Sequence, residues 1–87
     1  KDLIFEGEQI SSINDPAGGM MVLWKTKGGK YVLERMLGND KKVEIYHSAK
    51  GASSLIIDTY GSVGKRLIKA AQSKDKALEG LIEERIA

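Results

Sequence analysis

Short apolar runs separated by turn-forming residues fill the first half of the chain, a pattern typical of β-strands. Leu3-Ile4-Phe5, followed by Ile10 and Ile13, predicts one short strand that bends at Gly7. The next segment, 14–19, contains Asn, Asp, Pro and two Gly residues, which indicates a turn.

Two further apolar runs, 20–27 and 30–37, flank Gly28-Gly29, and these glycines readily adopt the positive φ of a tight hairpin turn. A second turn at 38–41 leads into Val43-Glu44-Ile45-Tyr46-His47. The sequence therefore predicts an antiparallel β-meander of three to four strands.

The second half of the chain changes to a helical period. Apolar residues recur at spacings of three and four, which predicts a helix over about 53–72: Ile56, Tyr60, Val63, Leu67 and Ala70. Gly61 and Gly64 each cost a helix interior about 1 kcal/mol, and Ile56-Ile57-Asp58-Thr59-Tyr60 has strand-like composition. A strand at 55–60 followed by a helix from 62 is therefore the alternative.

A second helix is predicted over about 75–86, with Ser73 as its N-cap. Four apolar residues share one face of this helix: Leu78, Leu81, Ile82 and Ile86. The predicted fold is a two-layer α+β domain in which the meander precedes two helices that pack on one sheet face.

If both hairpin turns have two residues, at Gly28-Gly29 and Asn39-Asp40, the strand register follows. It places Trp24 opposite Leu33, Leu33 opposite Tyr46, and Arg35 opposite Glu44. One sheet face then carries Met20, Val22, Trp24, Tyr31, Leu33, Leu37 and Tyr46. The other face carries Met21, Leu23, Val32, Met36, Val43, Ile45 and His47, with Lys25 and Glu34 among them.

Both predicted faces are largely apolar, yet the helices cover one of them, so the uncovered face is expected to contact another molecule. We predict a small non-enzymatic interaction or regulatory domain that binds another protein and self-associates. The predicted contact residues are Trp24, Tyr31, Arg35 and Tyr46. Ordinary packing of these aromatic residues beneath the helices is the structural alternative.

The alternative function is single-stranded nucleic-acid binding, with bases stacked on the aromatic residues. The basic residues for this alternative are Lys25, Lys27, Lys30, Lys65 and Lys69. Segment 61–72, which contains Lys65 and Lys69, has three basic and no acidic side chains, so basic charge is concentrated there. However, the net charge is only +2, and acidic residues interrupt the basic set, so protein contact is favoured.

Composition limits the other possibilities. The chain has 87 residues, which predicts a single domain over 1–87. It has no cysteine and one histidine, so no metal site or cofactor is predicted. No apolar run reaches the roughly 20 residues of a membrane span, and the apolar run near the start is too short for a signal peptide. We therefore expect a soluble, cytoplasmic protein.

Gly61-Ser62-Val63-Gly64, followed by Lys65-Arg66, is a glycine motif before a basic helix. It is not a P-loop, because Thr59 and Arg66 occupy positions that require Gly and Ser or Thr. It resembles the Gly-x-x-Gly loop of K-homology domains, which implies a clamp for a nucleic-acid backbone. That family has a strand where this sequence predicts the terminal helix, so we favour the interpretation that the two glycines let the helix lie close to the sheet or to the terminal helix.

Two sets of side chains have the residue types of an active site. His47, Ser48 and Asp58 are the residue types of a hydrolytic triad, but nothing in their spacing brings them together. Glu79 and Glu83 share a helix face, where carboxylates are normally solvated. We predict that the protein is not an enzyme.

Overall fold

The computed structural model describes residues 7–15 and 18–78. These residues form a four-stranded antiparallel sheet followed by one long helix and a 3₁₀ turn, which confirms the predicted α+β class. The elements are β1 (Gly7–Asp15), β2 (Gly19–Thr26), β3 (Tyr31–Leu37), β4 (Asp40–Tyr46), α1 (Ala49–Ala71) and the 3₁₀ turn (Lys76–Leu78). Sheet order follows chain order, as expected for a meander.

The β2–β3 hairpin has a three-residue loop, 27–29, and the predicted two-residue turn is wrong. Thr26 N–H donates to the carbonyl of Lys30 at 2.8 Å, which closes the loop outside both glycines. Gly29 has φ +84°, as in three-residue hairpin loops whose last residue is left-handed. This loop shifts the β2–β3 register by one residue.

The β3–β4 hairpin has a two-residue turn at Gly38-Asn39, one position before the predicted turn, so Leu37 pairs with Asp40. Gly38 has φ +59°, which suits glycine at the first central position of such a turn. The change alters the β3–β4 pairing by two residues.

The two shifts have different effects, because successive side chains of a strand point to opposite faces. The one-residue shift between β2 and β3 places the side chains of β2 on the opposite sheet face from the prediction, relative to those of β3. The two-residue shift between β3 and β4 leaves the side chains of these two strands on the predicted faces. All three predicted opposite pairs are wrong; the observed pairs are Trp24–Val32, Leu33–Glu44 and Arg35–Lys42.

We call the side of the sheet that packs against α1 the inner face, and its buried members include Met21, Leu23, Tyr31, Leu33 and Tyr46. The other side is the outer face. Strands β2–β4 contribute Met20, Val22, Trp24, Val32, Glu34, Met36, Lys41, Val43 and Ile45 to it, and β1 contributes the exposed polar residues Gln9, Ser12 and Asn14. The predicted single face with Trp24, Tyr31 and Tyr46 does not exist, because the first of these lies on the outer face.

Strand β1 is an edge strand with a bulge between Gln9 and Ser11. The extra residue is Ile10, which is buried in the core. The Ser11 hydroxyl donates to the carbonyl of Leu67 at 3.0 Å and ties the strand to the helix. Residues 3–5, where we predicted the start of this strand, lie outside the described residues.

The segment predicted as a helix over 53–72 is helical, and the alternative strand at 55–60 is not formed. The helix starts earlier than predicted, at Ala49, because the Ser48 hydroxyl accepts a hydrogen bond from Gly51 N–H at 3.0 Å. Gly61 interrupts the helix with φ 61° and ψ −131°, a conformation that essentially only glycine adopts. The helix therefore has two parts joined by a kink.

Gly64 allows the two parts of α1 to pack together. A Cβ atom at this position would lie 2.4 Å from the carbonyl oxygen of Ile56. The predicted packing of Gly61 and Gly64 against the sheet or the terminal helix is wrong, because Gly64 approaches its own helix and a Cβ atom at Gly61 would meet nothing within 4 Å. Ile56, Leu67, Ile68 and Ala71 then face the sheet and are fully buried.

The chain after α1 differs from the predicted second helix. Residues 76–78 form a 3₁₀ turn, and the remainder of the predicted helix, 79–86, lies outside the described residues. Ser73 is not its N-cap, because its hydroxyl donates backwards to the carbonyl of Ala70 at 3.1 Å. The Asp75 carboxylate caps the turn instead, since it accepts from Ala77 N–H at 3.1 Å.

Candidate functional site

The outer face has large apolar side chains that remain in contact with solvent. Met20 is 41% exposed, Val43 is 39% exposed and Ile45 is 51% exposed. Val22 and Val32 lie between them in the sheet and are buried. The exposed apolar members of the outer face therefore lie on β2 and β4, on the two sides of Glu34 in β3.

A series of polar side-chain contacts crosses this face. Trp24 Nε1 donates to Glu34 Oε1 at 2.8 Å, and Lys41 Nζ lies 3.1 Å from Glu34 Oε2. Both carboxylate oxygens are therefore bound, and the half-buried indole ring is fixed in orientation. An apolar centre with such a satisfied polar group suits a protein contact surface.

On the inner face, a buried carboxylate joins the sheet to the segment after α1. Asp75 is only 4% exposed, and it accepts a hydrogen bond from the Tyr31 hydroxyl. Lys25 Nζ lies 3.0 Å from its other oxygen, and this ammonium also lies 5.9 Å from the Tyr31 ring centroid. Burial, together with the bond to this carboxylate, raises the pKa of Tyr31.

A second inner-face network surrounds the kink of α1. Arg35 Nε donates to Asp15 at 2.9 Å, and its guanidinium lies 5.0 Å from the Tyr60 ring centroid. The bond to Asp15 raises the pKa of Arg35. Nearby, the Tyr46 hydroxyl donates to Glu44 at 2.6 Å, and burial raises the pKa of Tyr46. The predicted Arg35–Glu44 pair is wrong, because each residue has a different partner.

The predicted protein-contact residues are therefore divided between two sides of the sheet. Trp24 lies on the outer face, half-buried. Tyr31 and Tyr46 lie on the inner face, 1% and 8% exposed, and Arg35 lies beside them. Since a residue must be accessible to contact a partner, the buried Tyr31 and Tyr46 do not belong to a candidate contact surface, whereas Trp24 and Arg35 are both partly exposed, on opposite sides of the sheet.

The lysines of the nucleic-acid alternative are also separated. Lys25 is bound to Asp75, whereas Lys27 and Lys30 are exposed at the β2–β3 loop. Lys65 is half-buried and Lys69 is exposed on α1. The predicted stacking surface is absent beside them, because both tyrosines are covered.

Sequence reasoning missed Glu34, Asp15 and Asp75 as organisers of these networks. A charged residue is normally solvated, and Asp75 lies 44 positions from Tyr31 in the chain. The local signal for Asp75 was its position before a short turn, where an acceptor for a backbone N–H is favoured.

The described part of the chain contains no cluster of three His, Cys, Asp or Glu side chains with metal-binding geometry. Ser48, a member of the residue set considered for a triad, serves as the N-cap of α1. Within residues 7–15 and 18–78, no helix has both the length and the apolar content required to cross a membrane.

Comparison with known proteins finds no match to a protein-family model, a curated protein or a solved structure. The function must therefore be inferred from the surfaces of this chain.

Proposed function

We propose that this chain is a non-enzymatic interaction domain that binds protein through its outer face and self-associates. The observation that supports this most directly is the exposure of Met20, Val43 and Ile45 on one side of the sheet. Exposed apolar patches of this kind mark contact sites on small domains.

The dimensions of the face indicate the class of interface. Four strands spaced about 4.8 Å apart, each about seven residues long, cover about 19 by 23 Å. Two such faces in contact bury about 900 Å², which is at the small end of specific interfaces. We therefore expect weak, reversible association rather than an obligate complex.

Nucleic-acid binding is the less favoured function. Single-strand binders stack bases on exposed aromatic rings beside basic groups. Here Tyr31 and Tyr46 are buried under α1, and Lys25 is bound to Asp75. The outer face presents Trp24 with a carboxylate, Glu34, bound to it, which disfavours a phosphate backbone.

The test is Met20→Glu, which adds a charge to the outer face at a side chain that is already 41% exposed. We expect a folded protein whose self-association is weakened at least tenfold, about 1.4 kcal/mol, in sedimentation equilibrium. The matched control is Thr59→Glu on the exposed side of α1, which should associate like the unaltered protein. Equal association of both variants would contradict a contact through the outer face.

Nucleic acid is tested separately with fluorescent single-stranded DNA and RNA at low salt. We expect no binding. Salt-dependent binding that Lys65→Ala with Lys69→Ala reduces would support the nucleic-acid function instead.

A further inference from the structure

We propose that two copies of this chain pair through the open edge of β4, antiparallel to each other, with Val43 on the twofold axis. This inference rests on the proposed self-association and adds a second contact to it, because edge pairing leaves the outer faces of both copies open to the contact that Met20→Glu tests. The result is a continuous eight-stranded sheet in which the outer faces of the two copies adjoin.

The two edges of the sheet differ in their capacity to pair with another strand. The β1 edge has a bulge after Gln9, and bulges are a common means of preventing edge pairing. The β4 edge has no bulge, since its pairing with β3 runs without interruption from Leu37–Asp40 to Tyr31–Tyr46. In the part of the chain that the structure describes, β3 is the only strand that pairs with β4.

The backbone of β4 has groups that point away from β3. In a two-residue hairpin, the residues that flank the turn exchange backbone hydrogen bonds, and bonded positions then alternate along the strand. Leu37 and Asp40 are that flanking pair. The N–H and C=O groups of Lys41, Val43 and Ile45 consequently point to the open edge.

A twofold axis at Val43 aligns the whole of β4 with its copy, because this residue is the centre of Asp40–Tyr46. Residues whose numbers sum to 86 then lie opposite each other. Lys42 lies opposite Glu44 of the partner subunit, and symmetry forms this pair twice. Opposite charges directly across an antiparallel pair are stabilising.

The neighbouring symmetric registers bring like charges together. A shift in one direction places Lys42 opposite its own copy and Asp40 opposite Glu44 of the partner subunit. A shift in the other direction places Glu44 opposite its own copy. Since like charges directly opposite are destabilising, the charge pattern of β4 selects the register in which the strands overlap completely.

Lysines on an edge strand often prevent pairing, but Lys41 and Lys42 of β4 do not. Lys41 is already bound to Glu34 at 3.1 Å, so its charge is balanced within its own chain. Lys42 is exposed and forms no ion pair with a described residue. Its carboxylate partner is supplied by the second copy.

Charge reversal tests the pairing. We expect Lys42→Glu and Glu44→Lys each to raise the dimer dissociation constant at least tenfold, because each creates two like-charge pairs. An equimolar mixture of the two variants should dimerise again, since every reversed residue then lies opposite an opposite charge. Thermal unfolding of both variants is measured first, because Glu44 accepts a hydrogen bond from the Tyr46 hydroxyl. Glu44→Lys removes this acceptor, so its effect on folding must be separated from its effect on pairing. A mixture that stays as weak as the separate variants would overturn the proposed register.

Cross-linking provides a second test that does not depend on Glu44 variants. The chain has no cysteine, so Val43→Cys introduces a single thiol. Opposite Cα atoms in a bonded antiparallel pair are about 5.5 Å apart, within the range that a disulfide spans. Under mild oxidation, Val43→Cys should form a covalent dimer on a non-reducing gel.

The matched controls are Lys41→Cys and Ile45→Cys. In the proposed register each lies about 13 Å from its own copy, four residues along the strand, but directly opposite the other. Each variant alone should cross-link slowly, and their mixture should cross-link as fast as Val43→Cys. If Lys41→Cys or Ile45→Cys alone cross-links faster than Val43→Cys, the inference is overturned.

The outcomes separate this inference from the proposed function. If the protein associates, and Met20→Glu weakens association while the β4 variants do not, the outer-face function holds and the edge pairing is wrong. If the unaltered protein is a monomer at about 1 mM, its free energy of association is weaker than about −4.1 kcal/mol. Both the edge pairing and the proposed self-association are then wrong.

Discussion

Replacing Asp75 with alanine removes the acceptor that joins the sheet to the segment after α1. The variant leaves the buried Tyr31 hydroxyl without this acceptor, at a cost of about 1–3 kcal/mol. Loss of the bond from Ala77 N–H adds about 1 kcal/mol, as for other caps. The partly exposed Lys25 pair adds less than about 1 kcal/mol. Since neighbouring contributions are not additive, we expect a total loss of about 3 kcal/mol.

The free energy of unfolding is measured by urea denaturation at pH 7, followed by circular dichroism. For a domain of this size the expected loss lowers the thermal midpoint by about 10–20 °C. Lys25→Met removes the ion pair together with the contact between its ammonium and the Tyr31 ring and should cost about 1 kcal/mol. Tyr31→Phe removes only the hydroxyl bond and should cost about 1–2 kcal/mol. An Asp75→Ala variant as stable as Lys25→Met would refute the assignment of a structural role to the carboxylate–tyrosine bond.

The same carboxylate gives the stability a pH dependence. Burial raises the pKa of Asp75, but hydrogen bonds from Tyr31, Lys25 and Ala77 outweigh burial, and the net pKa is lowered. As pH falls, the unfolded chain therefore binds this proton first, and the stabilisation is lost from about pH 4 downwards. Between pH 5 and pH 3 the unaltered protein should lose more stability than Asp75→Asn. Equal losses would show that this group does not contribute.

Four substitutions in α1 and its flanks test the helix. Gly64→Ala should destabilise the protein by about 2 kcal/mol in urea unfolding, because the new Cβ would lie 2.4 Å from the Ile56 carbonyl oxygen; an unchanged midpoint would contradict this packing. Ser53→Ala should stabilise the protein by about 1 kcal/mol, because the buried hydroxyl has no hydrogen-bond partner among the described residues; a loss of stability would indicate a partner. Ser48→Ala should cost about 1 kcal/mol by thermal melting, whereas Ser73→Ala, at an exposed site, should cost less than about 0.5 kcal/mol; equal effects would argue against the N-cap.

The meander and the helix were predictable from sequence, but the sheet register was not. Residues 20–24 read Met-Met-Val-Leu-Trp, all apolar, so alternation gives no information about which side of β2 faces the core. The register then depends on the length of one loop. Gly28-Gly29 fits both a two-residue and a three-residue loop, and the difference of one residue moved Trp24 away from the tyrosines.

The candidate contact surface was predictable only as a class. The sequence predicted that one apolar sheet face would remain uncovered, and the outer face has that character. The residues that form this surface depend on the β2 register. The uncovered face therefore contains residues such as Met20 and Ile45 instead of the predicted Tyr31 and Tyr46. Contacts such as Asp75 with Tyr31 join positions far apart in sequence, and no local pattern indicates them.

Among residues 7–15 and 18–78, every strand of the sheet pairs only with the strand that precedes or follows it in the chain. Loops between such strands are short, so the hairpins close with little loss of entropy and form early during folding. The bond from Ser11 to Leu67, in contrast, spans 56 positions. During synthesis the sheet can therefore assemble before α1 is complete, with Met21 and Leu23 still exposed to water. Docking of α1 is the step that converts this two-sided sheet into a domain with one covered face.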